Sequence, residues 1–350
     1  MRILYGIQGT GNGHLSRAED VVPALEKIAD VDVLVSGNQS QVPTKFPVDY
    51  QRKGLTFYTS KNGGINIRKT ISNFRFANFI KEIRDFPAKK YDLIISDFEP
   101  ISAWSATIKN IPCIELSHQA AVCHPSSPKH DRSDLIGNYV LEHYCPAKTK
   151  YGFHFKSYDK SIFEPVIRKS IRECLPKIEN YYLVYLPAYH DDSIFKVISC
   201  FDVKWLVFSK HTKQSYAKKN VEFHPIDNAN FLRYFQNCEG VLCGAGFELP
   251  AEALYLGKKL LVIPMKGQFE QQCNAASLKE IGITVLPELK LIHHRAIQNW
   301  VTITKPLQIN YTSNLEAVTE KIIVDFEQEN IPKPTLTKPL FNPEFYKLFF

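Results

Sequence analysis

Between residues 241 and 275 the chain gathers groups that can hold a phosphorylated sugar. Gly244-Ala245-Gly246 is a small-residue run, and Pro250 stands where the first turn of a helix accepts it. The free amides of Gly246, Phe247 and Glu248 would point out of that helix start, where the dipole favours an anion. Glu252 lies one turn on from Glu248, on the same face. A carboxylate there repels phosphate but accepts hydrogen bonds from a ribose diol. Gln268, Glu270 and Gln271 follow as polar side chains suited to sugar hydroxyls. A second group stands near the N-terminus. His14 follows the alternating glycines Gly9, Gly11 and Gly13, a loop that brings an imidazole to a strand end without side-chain crowding. An imidazole neutral near pH 7 suits a general base. The alternative is a loop histidine that caps the following helix or only touches ligand.

These residues need elements that aim them. Val241 to Cys243 reads as a buried strand, Ala251 to Leu256 as a helix stopped by Gly257, and Lys259 to Met265 as a second buried strand ending at Pro264. That is a strand–loop–helix–strand unit of parallel type. Residues 2–8 are an apolar strand, Leu15 to Ile28 a helix and Val31 to Val35 the next strand. The glycine spacing opposes a dinucleotide fingerprint: position 14, where its third glycine belongs, is His, and the second strand ends in Ser36-Gly37 rather than an acid. Residues 91–100 form a strand ending in acids and Pro. A helix over 101–109 and a strand over 112–116 follow, with Ser117-His118-Gln119 at the strand end on the ligand side of a doubly wound sheet. His118, Cys123, His124 and His130 match no standard zinc spacing, so no metal site is expected and His118 and Gln119 read as acceptor-side loop residues.

Composition sets the bounds. The chain has 350 residues, 44% hydrophobic, enough for two domains with substantial cores. A net charge of +7 permits anionic substrates without demanding nucleic acid. Eight cysteines without a Cys-x-x-Cys pair read as reduced thiols of a cytoplasmic protein. No apolar run reaches ~18 residues, and the N-terminus lacks a signal-peptide core.

The stretch 241–275 resembles the donor-binding signature of GT-B glycosyltransferases, most closely the UDP-glycosyltransferases and the N-acetylglucosaminyltransferase of the lipid-linked peptidoglycan precursor. The likeness rests on Gly244-Ala245-Gly246, Glu252, Leu260 to Pro264, Glu270-Gln271 and Asn274-Ala275. It implies an α/β GT-B fold, two doubly wound Rossmann-like domains facing a cleft. Residues 1–166 would bind acceptor, 167–330 a nucleotide-sugar donor, and the tail 331–350 would pack back on the first domain. It also implies that the loop with Gly11, Gly13 and His14 meets the acceptor, that Asp97 orients His14, that Pro187 faces the donor phosphates, and that the strand end at Ile226 receives the base. An equal alternative for Asp97 is a helix cap. The expected reaction is inverting, metal-independent transfer from a UDP-linked sugar to a hydroxyl, with no cofactor beyond the donor. A same-fold nucleotide-sugar epimerase and a noncatalytic sugar-nucleotide-binding protein are the alternatives.

Residues 61–90 carry eight Lys or Arg against two acids, interleaved with Phe74, Phe76, Phe79, Ile80 and Phe86. Read plainly, this is an amphipathic helix with a solvated basic side. Read for function, it is a peripheral contact with anionic lipid on the inner membrane face, or with a lipid-linked acceptor.

Overall fold

The computed structural model describes residues 1–10, 12–37, 44–54, 76–130, 135–312 and 314–328. Gly11, Phe74 with the rest of 55–75, and the tail 331–350 lie outside the described residues.

The first layer runs β1 (Arg2–Gln8), α1 (Asn12–Glu26), β2 (Asp30–Ser36), β3 (Tyr50–Arg52), α2 (Phe76–Asp85), β4 (Leu93–Asp97), α3 (Pro100–Lys109), β5 (Cys113–Ser117), α4 (His118–Cys123), α5 (Leu135–His143), β6 (Thr149–Phe153) and β7 (Ile162–Phe163). Its sheet has the order β3-β2-β1-β4-β5-β6-β7, and every pairing is parallel. The strands read as near-continuous apolar runs because helices cover both faces. The order reverses between β1 and β4, so the carboxyl ends of those two strands, just before His14 and at Asp97, flank a switch point where ligands bind.

The second layer begins after a short helix, α6 (Lys169–Arg172). It runs β8 (Tyr182–Tyr185), α7 (Asp191–Ile198), β9 (Trp205–Ser209), β10 (Tyr216–Lys218), β11 (Val221–Pro225), α8 (Asn228–Asn237), β12 (Gly240–Gly244), α9 (Glu248–Tyr255), β13 (Lys259–Ile263), α10 (Phe269–Glu280), β14 (Thr284–Val285), α11 (His294–Thr302) and α12 (Leu315–Glu327). Its sheet has the order β10-β11-β9-β8-β12-β13-β14, parallel except for the edge strand β10. Here the switch falls between β8 and β12, which places the Pro187 loop beside Gly244.

Strand β7 is an addition at the sheet edge, and two details differ from expectation. Strand β7 extends the first sheet beyond residue 155, because Gly152 and His154 hydrogen-bond to Ser161 and Phe163. Strand β13 stops at Ile263, since Pro264 has no amide to continue it. The return to the first layer begins well before residue 331: Tyr311 Oη donates to Phe155 O at 3.1 Å, α12 packs on α1, and Tyr151 donates to Asp325.

Helix α2 puts Phe79 and Ile83 into the core beside Phe86, with Ile80 half-buried. For the described part of the basic stretch, the apolar face is thus turned inward. Among the described residues no helix is long and apolar enough to cross a membrane.

Gly152 fixes the seat of α4. A Cβ there would lie 2.4 Å from the Ala121 backbone nitrogen, and backbone cannot swing aside as a side chain can. Gly152→Ala is expected to cost ~1–3 kcal/mol of stability, as overpacking does, and to disturb Gln119 on the same helix. An unchanged urea midpoint would show that α4 yields freely.

Candidate functional site: a dyad facing a helix N-terminus across the cleft

His14 occupies the first turn of α1 and Asp97 ends β4. His14 Nδ1 lies 2.9 Å from Asp97 Oδ1. The capping alternative for Asp97 does not hold, because α3 is capped by Glu99, whose carboxylate accepts from the Ile101 and Ser102 amides. Asp97 is fully buried and shares its two oxygens with Arg17 Nη2 at 2.7 and 2.8 Å, with Tyr5 Oη donating at 3.4 Å. Burial alone would raise its carboxyl, but Arg17 and then His14 hold it below the usual carboxylate range. An ionised Asp97 accepts a hydrogen bond from Nδ1–H, so the lone pair of neutral His14 sits on Nε2. Burial pulls His14 down, yet Asp97 outweighs it and the imidazole rises above its ordinary value; Arg17 opposes that rise and Glu248 adds to it. His14 Nε2 looks toward Gln119, whose Nε2 is 3.5 Å away and donates to Glu270 Oε2 at 3.0 Å.

Across the cleft stands the start of α9. Glu248 abuts the His14 loop so closely that a Cβ on Gly13 would meet its Oε2 at 2.5 Å, and its Oε1 accepts from Arg17 Nη1 at 2.6 Å. Pro187, Gly244, Gly246 and Gln271 line a pocket of about 120 Å³ between the ends of β8, β12 and β13. Gln271 Oε1 accepts from the Met265 amide at 2.9 Å, which shapes the loop after β13. A Cβ on Gly246 would meet nothing within 4 Å, so open space stands over the helix start. Ala245 and Phe247 are buried, Gln268 is the residue before α10, and Ile226 is half-buried just past β11.

Two expected site residues are placed otherwise. His118 is buried rather than acceptor-facing. Its Nδ1 is 2.8 Å from Phe153 O, its Nε2 is 2.7 Å from Asn274 Oδ1, and its ring stacks on Phe247 at 3.9 Å. It joins the two layers, and burial pulls its imidazole below the ordinary value. Glu252 is buried with both oxygens on Arg168, at 2.5 Å from Nε and 2.6 Å from Nη2, a bidentate pair with no oxygen facing the pocket. Sequence reasoning missed both arginines. Arg17 had a signal, since it lies three residues beyond His14 on one helix face. Arg168 in the connecting segment had none.

Among the described residues no group of three or more His, Cys, Asp or Glu is placed to hold a metal ion. The one Asp-x-Asp string of the chain, Asp30-Val31-Asp32, starts β2 at the opposite end of the sheet, with Asp32 on Arg2 at 2.9 Å and Tyr91 at 2.6 Å.

Two doubly wound layers with such a cleft are the architecture of GT-B glycosyltransferases. A family model, glycosyl transferase family 1, matches residues 1–304, and the chain belongs to that family. It is a glycosyltransferase. A search of curated proteins finds no match. Among solved structures it is similar to the glycosyltransferase VinC in complex with DTDP (12% identity, 100% of this chain and 99% of that one, TM-score 0.54). It is also similar to the spinosyn rhamnosyltransferase SpnG complexed with spinosyn aglycone (14%, 95% and 98%, 0.52) and to Acinetobacter baumannii MurG (13%, 91% and 99%, 0.52). At these identities the likeness is one of fold.

Proposed function

We propose that this enzyme moves a sugar from a UDP-linked donor to a hydroxyl acceptor, with inversion and without a metal. The observation that carries the reading is the His14–Asp97 pair set against the N-terminus of α9. His14 Nε2 takes the hydroxyl proton as the acceptor oxygen attacks the anomeric carbon. The bond from that carbon to the diphosphate oxygen breaks on the opposite face. The amides at Gly246, Phe247 and Glu248, with the dipole of α9, take up the charge of the departing diphosphate, the task a metal performs elsewhere. Pro187 and Gln271 line the same pocket. Ile226 is assigned to the base, and Gln268 and Glu270 to sugar hydroxyls. Gly13 and Gln119 are assigned to the acceptor side, and so is Gly11, which lies outside the described residues. Glycosyltransferases of this fold have been captured with a nucleotide diphosphate, as VinC with DTDP, and with an acceptor, as SpnG with its aglycone.

A thermal-shift screen against UDP, dTDP, GDP and ADP sugars tests the donor, since a ligand that binds only the folded state raises its melting point. Turnover with an acceptor panel running from small aglycones to a lipid-linked hydroxyl then tests transfer. Incubation with UDP-sugars alone is expected to return the sugar unchanged; an altered sugar would make the enzyme an epimerase. Gly246→Ala should leave stability intact, because its Cβ enters open space. It should weaken donor binding by ~1–3 kcal/mol, the cost of one methyl too many. Calorimetry giving wild-type affinity would move the diphosphate elsewhere.

A further inference from the structure

We propose that Arg17 is a positioning residue that ties the basicity of His14 to closure of the cleft, by holding Asp97 with one amino group and the donor-side Glu248 with the other. This coupling rests on His14 being the base. The geometry is a chain of charges. Arg17 Nη2 spans both oxygens of Asp97, the carboxylate that also accepts the hydrogen bond of His14 Nδ1–H, and itself lies 3.1 Å from Nδ1. Arg17 Nη1 reaches Glu248 Oε1 at 2.6 Å, and Glu248 belongs to the other layer. The guanidinium is almost fully buried and lies 5.6 Å from the Phe153 ring centre, so packing fixes it in place.

Among the described residues, four elements bring charge to the ring or to its partners. From β4, Asp97 stabilises the imidazolium. From α1, Arg17 opposes it. From α9, Glu248 favours it directly and also offsets Arg17. Glu270 of α10 reaches the ring only through Gln119 of α4, and Tyr5 of β1 touches Asp97 rather than the ring. When the layers part, Glu248 leaves and Arg17 stands unshared beside Asp97, so His14 is the weaker base. When they close, Glu248 returns, and His14 gains basicity as the donor phosphates and acceptor hydroxyl are brought together.

The test reads the His14 imidazole directly, by NMR titration of the full-length enzyme with labelled histidine, beside the acid limb of kcat/KM. Arg17→Met is expected to move the His14 midpoint up by about one pH unit or more, the size of a nearby-charge effect. Glu248→Gln is expected to move it down. Arg17→Lys, which keeps the charge, should hold it near wild type while lowering kcat through looser geometry. Opposite shifts in the first two variants, with recovery in the third, establish the coupling. A midpoint unmoved in both Arg17→Met and Glu248→Gln, or moved in the same direction, overturns it. Should Arg17→Met fail to fold, Glu248→Gln and Arg17→Lys decide alone: a midpoint that fails to fall in the first, or departs from wild type in the second, overturns the proposal. If the titration shifts as expected while His14→Ala transfers at the wild-type rate, the charge coupling stands and the role of His14 as base is what fails.

Discussion

His14→Ala is expected to leave the fold and donor binding in place and to cut sugar transfer by about 10²–10⁴-fold, the usual contribution of a general base. The side chain is partly exposed at a loop–helix junction, so its loss opens little cavity. What disappears is the lone pair on Nε2, which Asp97 keeps free by accepting the hydrogen bond from Nδ1–H. The pH dependence follows with a definite sign. Protonated imidazole cannot accept a proton, so the rate falls as pH drops through the His14 pKa. Because Asp97 holds that pKa above its ordinary value, the acid limb should lie above the ~6.5 of a free histidine. His14→Ala should retain only a low rate without that limb. Asp97→Asn should cost less than His14→Ala in rate, since it acts through the ring, though it leaves Arg17 without its carboxylate. Single-turnover measurements across pH check both. A wild-type rate in His14→Ala would mean that His14 is not the base.

The second large effect concerns Glu252 and Arg168. Removing one partner of a buried ion pair strands the other, at a cost of ~3–5 kcal/mol. Glu252→Ala and Arg168→Ala should each lose that much stability in denaturant unfolding, because both carboxylate oxygens are spent on the guanidinium. Glu252→Leu combined with Arg168→Met should recover much of the loss, since an apolar pair of similar volume leaves no buried charge. The double variant also separates two roles. If Glu252 serves only the pair, the double variant binds nucleotide-sugar as wild type does. A loss of ~1.5–3 kcal/mol that persists in the stable double variant would mean that Glu252 turns to a ribose diol when donor is present. Equal instability of single and double variants would mean that the site's shape, rather than its charge, is what matters.

The layers were legible in the sequence because parallel strands buried on both faces read as apolar runs and the loops carried glycine. The neighbourhood of Gly244 to Glu248 was legible for the same local reasons. The partners of each side chain were not, because they come from elements far apart in the chain. Glu252 shares a helix face with Glu248, and periodicity shows that much; no local rule shows that Arg168 comes from the connecting segment to claim it. His118 stands at a strand end, where ligands bind, yet Asn274 and Phe247 of the facing layer enclose it. A strand end moved from its expected position where proline intervened, at Pro264, and β7 added an edge pairing that no local pattern marked.

Among the described residues the chain passes between its two layers twice, and the passages lie side by side. On the way out, Glu164 precedes Arg168 and α6; on the way back, the Ile309 amide donates to Leu254 O, and Thr312 donates to Glu164 through its amide at 2.8 Å and its hydroxyl at 2.7 Å. These hydrogen bonds stitch the two crossings together, with the Arg168–Glu252 pair beside them, so the connection is stiffer than either crossing alone. The layers also meet at Arg17–Glu248, one helical turn along α9 from the Arg168–Glu252 pair, and at Gln119–Glu270 and His118–Asn274. Crossings and contacts together join the two layers, so a substitution at any one of them is expected to change how readily the layers separate.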